Sequence, residues 1–220
     1  APFENVYTLA LRGLHDRAMN ASNDMGDRKD MLQEALMAQR QMLIDAIGKP
    51  GEEIPQAFTP YKEVLDVYDE GLELPDDVTI IWPDDNYGYM KRLSSPKEQK
   101  RSGRSGVYYH SSYLGKPHDH LWMNTISPTL MYEELRKAYD ATADRIWLLN
   151  AGDIKSCEFA VDYFLTMAFD IDSFNFERAA NYRTEWLCGM LGDQYRNEYQ
   201  DVVNSFYKLA FARKPEFMGW

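Results

Sequence analysis

"TIIWPDDNYGYMKRL", residues 79–93, decides the fold of this chain. A β-branched run ends in Trp82 and Pro83, then breaks into Asp84, Asp85 and Asn86 before Tyr87 and Gly88. Asp and Asn are poor strand formers and good turn formers. The run is continuously apolar rather than alternating. Strands read that way when helices cover both faces of a parallel sheet. Two carboxylates and an amide directly after such a strand stand where parallel α/β folds hold their ligands.

Working outward, three more segments share this plan. They are "ENVYTLALRG" (4–13), "GVYYHSSYLG" (106–115) and "RIWLLNAGDI" (145–154). Helical spacing lies between and after them. In 27–50, Met31, Leu32, Ala35, Leu36, Met42, Leu43, Ala46 and Ile47 recur at that period, and Gly48 and Pro50 stop it. Thr59-Pro60 opens a helix in 59–77, Pro128 one in 127–144, and a further helix is predicted over 155–170. Residues 96–106 read as a polar, basic loop. The result is four βα units, an order that doubly wound sheets and (β/α)8 barrels both satisfy. After Asp172 the alternation stops, and 173–192 and 194–218 read as two helices with no strand between them. A domain boundary is therefore expected near residue 172, dividing 1–172 from 173–220.

The chain has 220 residues, and its net charge of −11 disfavours a nucleic-acid backbone or a polybasic membrane patch as partner. No apolar run reaches the roughly 18 to 20 residues of a spanning helix. It opens on Ala1 with no recognisable leader, which suggests a processed or trimmed start. Cys157 and Cys188 fall on predicted helices without metal-ligand spacing and read as buried free thiols. His118 and His120 lack the partners a metal site needs, so no metal and no cofactor are expected. Aromatic residues make up 14%, with 15 Tyr and 5 Trp. Sugar-handling proteins share this enrichment, and an aromatic core accounts for it equally well.

Polar residues gather where the strands end. The first is followed by Arg12, His15 and Asp16, the second by Asp84, Asp85 and Asn86. The third carries His110 and leads to Tyr113, and the fourth ends in Asn150 with Asp153 after it. Each alone is accounted for by loop polarity or helix capping. Together they describe a carboxylate-based site. Nucleophile-elbow, dinucleotide and P-loop signatures are absent. Two chemistries remain: glycoside hydrolysis, and a divalent-metal hydrolase with Asp84, Asp85 and Asn86 as oxygen ligands.

The run from "DDVTIIWPDDNYGYMKRLSSPKEQKRSGRSGVYYHSSYLG" through "RIWLLNAGDIKSCEFAVDYFL" closely resembles glycoside hydrolase family 115, as do "TLALRGLHDRAM", "PYKEVLDVYDEGLELPDD" and "ARKPEF". The resemblance implies an α-1,2-glucuronidase that removes glucuronic acid or its 4-O-methyl form from xylan with inversion. It also implies that this chain holds the second half of a (β/α)8 barrel and the start of a helical domain. Such a piece of a larger enzyme is expected to be inactive alone. By the same resemblance Asp16, Glu63 and Asp84 are catalytic, with Asp16 and Glu63 first for acid and base. Arg12, Asn86, His110 and Tyr113 bind substrate, with Arg12 matched to the uronic carboxylate; Asn150 is added as a substrate-binding candidate from its place at the end of the fourth strand. Read from the residues alone, Glu63 is solvated helix surface. The expected partner is glucuronoxylan, the expected location secreted or periplasmic. A half-barrel leaves two sheet edges open, so a homodimer is a further expectation. The competing reading is a carbohydrate-binding or structural half-barrel without catalysis.

Overall fold

The structure, a computed structural model, describes residues 4–14, 17–112, 120 and 123–219. Within them strands and helices alternate as β1 (Tyr7–Leu9), α1 (Met25–Ile47), β2 (Gln56–Phe58), α2 (Glu63–Asp69), β3 (Thr79–Pro83) and β4 (Ser105–His110). Then follow α3 (Pro128–Asp140), β5 (Trp147–Asn150), α4 (Ile154–Phe169), α5 (Phe176–Leu191) and α6 (Arg196–Ala212). The strands form one sheet in the order β1-β2-β3-β4-β5.

Every pairing is parallel. β1 sets Tyr7 to Leu9 against Gln56 to Phe58, and β2 sets Ala57 and Phe58 against Thr79 and Ile80. Between β3 and β4, Ile80 N–H donates to Arg104 O and Asp84 N–H to Tyr108 O. Between β4 and β5, Val107 N–H donates to Ile146 O and Ser111 N–H to Asn150 O. The residue offset is constant along each pair, so the strands run the same way. Sequential parallel strands with intervening helices have the connectivity of half a (β/α)8 barrel, as the sequence predicts.

Four strands lead to helices, but β2 is absent from the sequence reading, and β3 leads instead to a loop holding one 3-10 turn, Glu98–Lys100. β2 is three residues long and fully buried, in a segment bounded by Pro55 and Pro60. Its prolines read as loop, while the burial that defines it comes only from its neighbours. The helix expected at Thr59-Pro60 begins later, at Glu63. Tyr61 N–H closes a turn onto Thr59 O, and Gly71 ends the segment. α1 stops at Gly48, as read from the sequence, with the Gly48 N–H on Ile44 O.

The chain forms two compact units. Unit one comprises residues up to Pro83, Arg92–Val107 and Ala141–Ile146. Leu9, Leu32, Leu36, Phe58, Val67, Ile80 and Trp82 are nearly inaccessible there. Each such side chain stabilises the fold by about 1.5–3 kcal/mol relative to exposure. Arg40 ties α1 to the approach to β3 through a bidentate pair with Asp77, at 2.8 and 3.0 Å. At Gly106 a Cβ would stand 2.0 Å from Ile146 O, so only glycine lets these backbones meet.

Unit two comprises Asp84–Lys91, Tyr108–Asp140 and the chain from Trp147 onward. α5 packs on α3, α4 and α6. Its interior is aromatic: Tyr163 meets Phe174 and Tyr182 edge-on, and Phe159 stacks on Tyr163 at 5.8 Å. Much of the aromatic content therefore fills a core. Cys157 and Cys188 are buried free thiols on α4 and α5. No helix among the described residues is long and apolar enough to cross a membrane.

Candidate functional site

Unit one places Arg12 just past β1 and Glu63 at the first residue of α2. Arg12 Nε donates to Glu63 Oε1 at 3.0 Å and Nη2 to Oε2 at 3.1 Å, a fork-to-fork pair. The guanidinium also lies over the Tyr61 ring at 5.5 Å, and Lys62 Nζ lies over the same ring at 5.2 Å. The side chains of Arg12 and Glu63 are 19% and 23% exposed, sheltered yet reachable. Glu63 is thus half of a fixed ion pair, not solvated helix surface. Lys62 holds φ 52 and ψ −122 immediately before it. That backbone costs about 1–3 kcal/mol and persists only where the surroundings enforce it.

Unit two assembles a second cluster from the ends of β3, β4 and β5. Asp84 follows β3, and its side chain is fully buried. Its Oδ1 accepts from His110 Nδ1 at 2.6 Å and from Asn86 N–H at 3.0 Å, while Oδ2 accepts from His110 N–H at 2.9 Å. With the carboxylate accepting on both oxygens, Nδ1 carries the proton and His110 is left to act through Nε2. The Tyr108 ring lies 4.8 Å from the His110 ring, and Asn150 Nδ2 donates to the Tyr108 hydroxyl at 2.6 Å. Asp84, His110, Tyr108 and Asn150 form one continuous series across three strand ends.

Asp85 has other work. Its Oδ1 accepts from Tyr87 N–H at 2.8 Å and Tyr89 N–H at 3.1 Å. It caps the turn of its own loop, with no helix following. Asp84 bridges to Met90, closing residues 84–90 into a tight excursion that carries Asn86 at φ 69. Gly88 sits at φ 94, where a Cβ would stand 2.8 Å from the Tyr109 hydroxyl and 2.9 Å from Ile126. The Tyr109 hydroxyl donates to Gly88 O at 2.9 Å. Burial, then the charge of Asp84, pushes this phenol well above its usual range, so it stays a donor near neutrality. Met90 N–H donates to Glu134 Oε2 at 2.9 Å, pinning the far end of the loop to α3.

The structure therefore brings Arg12 to Glu63 in one unit, and Asp84 to Asn86, His110 and Asn150 in the other. Asp16 and Tyr113 lie outside the described residues, as do His15 and His118. Asp84 and Asp85 aim their carboxylates at different partners, so the Asp-Asp-Asn run does not present one ligand set. Among the described residues no group of three or more His, Cys, Asp or Glu is arranged to hold a metal ion. Sequence reasoning passed over Tyr108, although it stands two residues before His110 and hence on the same strand face. It also passed over Tyr61 and Lys62, and nothing local announces the Lys62 backbone.

The family model for glycosyl hydrolase family 115 matches residues 1–217. Among solved structures, the chain is similar to one described as a family GH115 4-O-methyl-α-glucuronidase, BtGH115A, with specificity for decorated arabinogalactans. The two are 42% identical with a TM-score of 0.91 over 97% of this chain, which spans 28% of the length of that one. A search of curated proteins found no match. A match over nearly every residue, together with this level of identity, establishes that the chain belongs to glycosyl hydrolase family 115.

Proposed function

We propose that this chain is part of an α-glucuronidase that hydrolyses glucuronic acid, or its 4-O-methyl form, from a decorated plant polysaccharide. The observation that carries the reading is the family match across residues 1–217. The Arg12 fork supports it, because it stands past the carboxyl end of a strand and pairs bidentately with a planar carboxylate, that of Glu63, which a substrate carboxylate would displace and so release for acid or base work. A uronic acid offers the same group.

In the proposed reaction Asp16 and Glu63 share the acid and base roles. The acid gives its proton to the leaving glycosidic oxygen as the bond to the anomeric carbon breaks. The base takes a proton from a water whose oxygen bonds that carbon from the opposite face, inverting it. Room for that water sets a carboxyl separation of about 6.5–9.5 Å. Asp84 acts through His110, holding it by both Nδ1 and the backbone amide. Asn86 and Tyr113 meet sugar hydroxyls.

Glucuronoxylan is the first substrate to test, and a glucuronate-decorated arabinogalactan the second, since the solved neighbour is described as specific for the latter. Such substrates fit a secreted or periplasmic enzyme, and cell fractionation checks that. The whole protein carrying this chain should release glucuronate from one of the two, while the 220 residues alone should not. Glu63→Gln should bring release near background. Full activity in Glu63→Gln would remove the catalytic assignment. Glucuronate binding without turnover by the whole protein would favour the non-catalytic reading.

A further inference from the structure

The loop that carries Asn86 is braced from far along the chain. After α6, Pro215–Phe217 make a short 3-10 turn that Lys214 precedes. Phe217 stacks on Tyr87 of the loop at 6.0 Å and 26°. Glu216, 1% exposed, accepts from the Thr125 hydroxyl through Oε1 at 2.9 Å. Lys214 Nζ donates to Thr125 O at 3.2 Å. Thr125 is followed by Ile126, whose Cγ2 fills the space a Cβ on Gly88 would need. The turn thus holds the loop twice, directly through Tyr87 and indirectly through the Thr125-Ile126 step.

We infer that the Lys214–Phe217 segment is a positioning device for the substrate-binding loop, fixing Asn86 through Tyr87 and Ile126. The inference rests on the reading of this family member as a glucuronidase and deepens it. Its chemistry is unusual for a surface turn. Glu216 Oε2 is buried and finds no hydrogen-bond partner among the described residues. Burial also pushes the Lys214 ammonium down, with the charges of Glu216 and Asp85 partly restoring it. A buried Glu and a half-buried Lys flanking one threonine are costly to keep and are not needed to end a helix. What they gain is a fixed height for Thr125 beneath the loop. Phe217 is half exposed, so its ring contributes mainly the Tyr87 contact.

The test uses the whole enzyme with Phe217→Ala and Glu216→Ala, beside the conservative Phe217→Tyr and Glu216→Gln. Two readouts are taken: steady-state glucuronate release, and amide hydrogen exchange of Asn86, Tyr87 and Tyr89. Loss of one aromatic pair is worth about a 2- to 10-fold effect. KM should rise by that factor in both alanine variants, kcat should stay within about twofold, and the three loop amides should exchange faster. The conservative variants should restore both. Phe217→Ala tests the contact without opening the core. Folded alanine variants with unchanged KM and unchanged loop exchange would overturn the inference. If the unmodified enzyme releases no glucuronate, the functional reading fails instead, and the exchange measurement still decides whether the turn positions the loop.

Discussion

Asp84 directly follows β3 and Glu63 opens α2, and the surroundings of these two carboxylates divide their work. Glu63 remains reachable, with one bidentate partner and a strained residue before it. Asp84 is sealed and accepts three hydrogen bonds, two of them from His110. A group so enclosed can orient a neighbour but has little access to a glycosidic oxygen. Asp84→Asn tests this. Its amide oxygen replaces Oδ1, which leaves the NH2 group facing the His110 N–H, donor against donor. The unmet buried donor should cost about 1–3 kcal/mol, read as a lower Tm. Glucuronate release should fall about 10²-fold because the clash with the His110 N–H displaces the imidazole that Asp84 positions. A variant with full activity and unchanged Tm would show that His110 does not depend on this contact. The candidate residues were legible at this scale because polar groups after apolar strands stand out. Their division of labour was not, because burial and hydrogen-bond geometry decide it.

Among the elements, the two parts of the connection between β3 and β4 show how local chemistry fixes a site. Gly88 cannot be replaced without collision or strain, since its φ of 94 and its Tyr109 and Ile126 neighbours both exclude a Cβ. Gly88→Ala should therefore destabilise the fold by about 1–3 kcal/mol and weaken substrate binding more than turnover. Thermal melts and KM read the two effects, and unchanged values in both would contradict the tight packing. In unit one, Glu98 anchors Arg92, the Tyr68 hydroxyl and Ser95 N–H. Burial raises the Glu98 carboxyl, but these donors outweigh it and leave the pKa below its usual 4.5. A carboxyl lowered by folding stabilises the protein above its unfolded pKa. That contribution is lost as pH falls through the folded value. Tm should thus drop below about pH 4.5, and Glu98→Gln should flatten this acid limb. Parallel curves would show that the network is not titrating. The contrast with β2 is instructive: helices α1, α3 and α4 were legible from periodicity and stops. Three residues beside prolines carry no period, and only their neighbours make them a strand.

For the whole chain, the sheet order leaves β1 and β5 as its edges among the described residues. β5 presents Leu148 at 46% exposure, and α6 exposes Val202 and Leu209, seven residues apart on one helix face. Edge strands and apolar helix faces are covered in stable proteins, by more chain or by another copy. Against this stands a net charge of −11, which keeps copies apart at low ionic strength. The two tendencies predict a salt-dependent outcome for the isolated 220 residues. At low salt the repulsion should hold them monomeric. Near 0.5 M salt, where screening shortens to about 4 Å, they should pair or associate further. Leu148→Lys, which places a charge on the β5 edge, should keep the chain monomeric under the same conditions if the edge carries the association. Light scattering over a range of protein concentration reads this directly. Association that survives Leu148→Lys but is abolished by Val202→Lys would assign it to the α6 face. A strictly monomeric chain at high salt would show that neither surface seeks a partner.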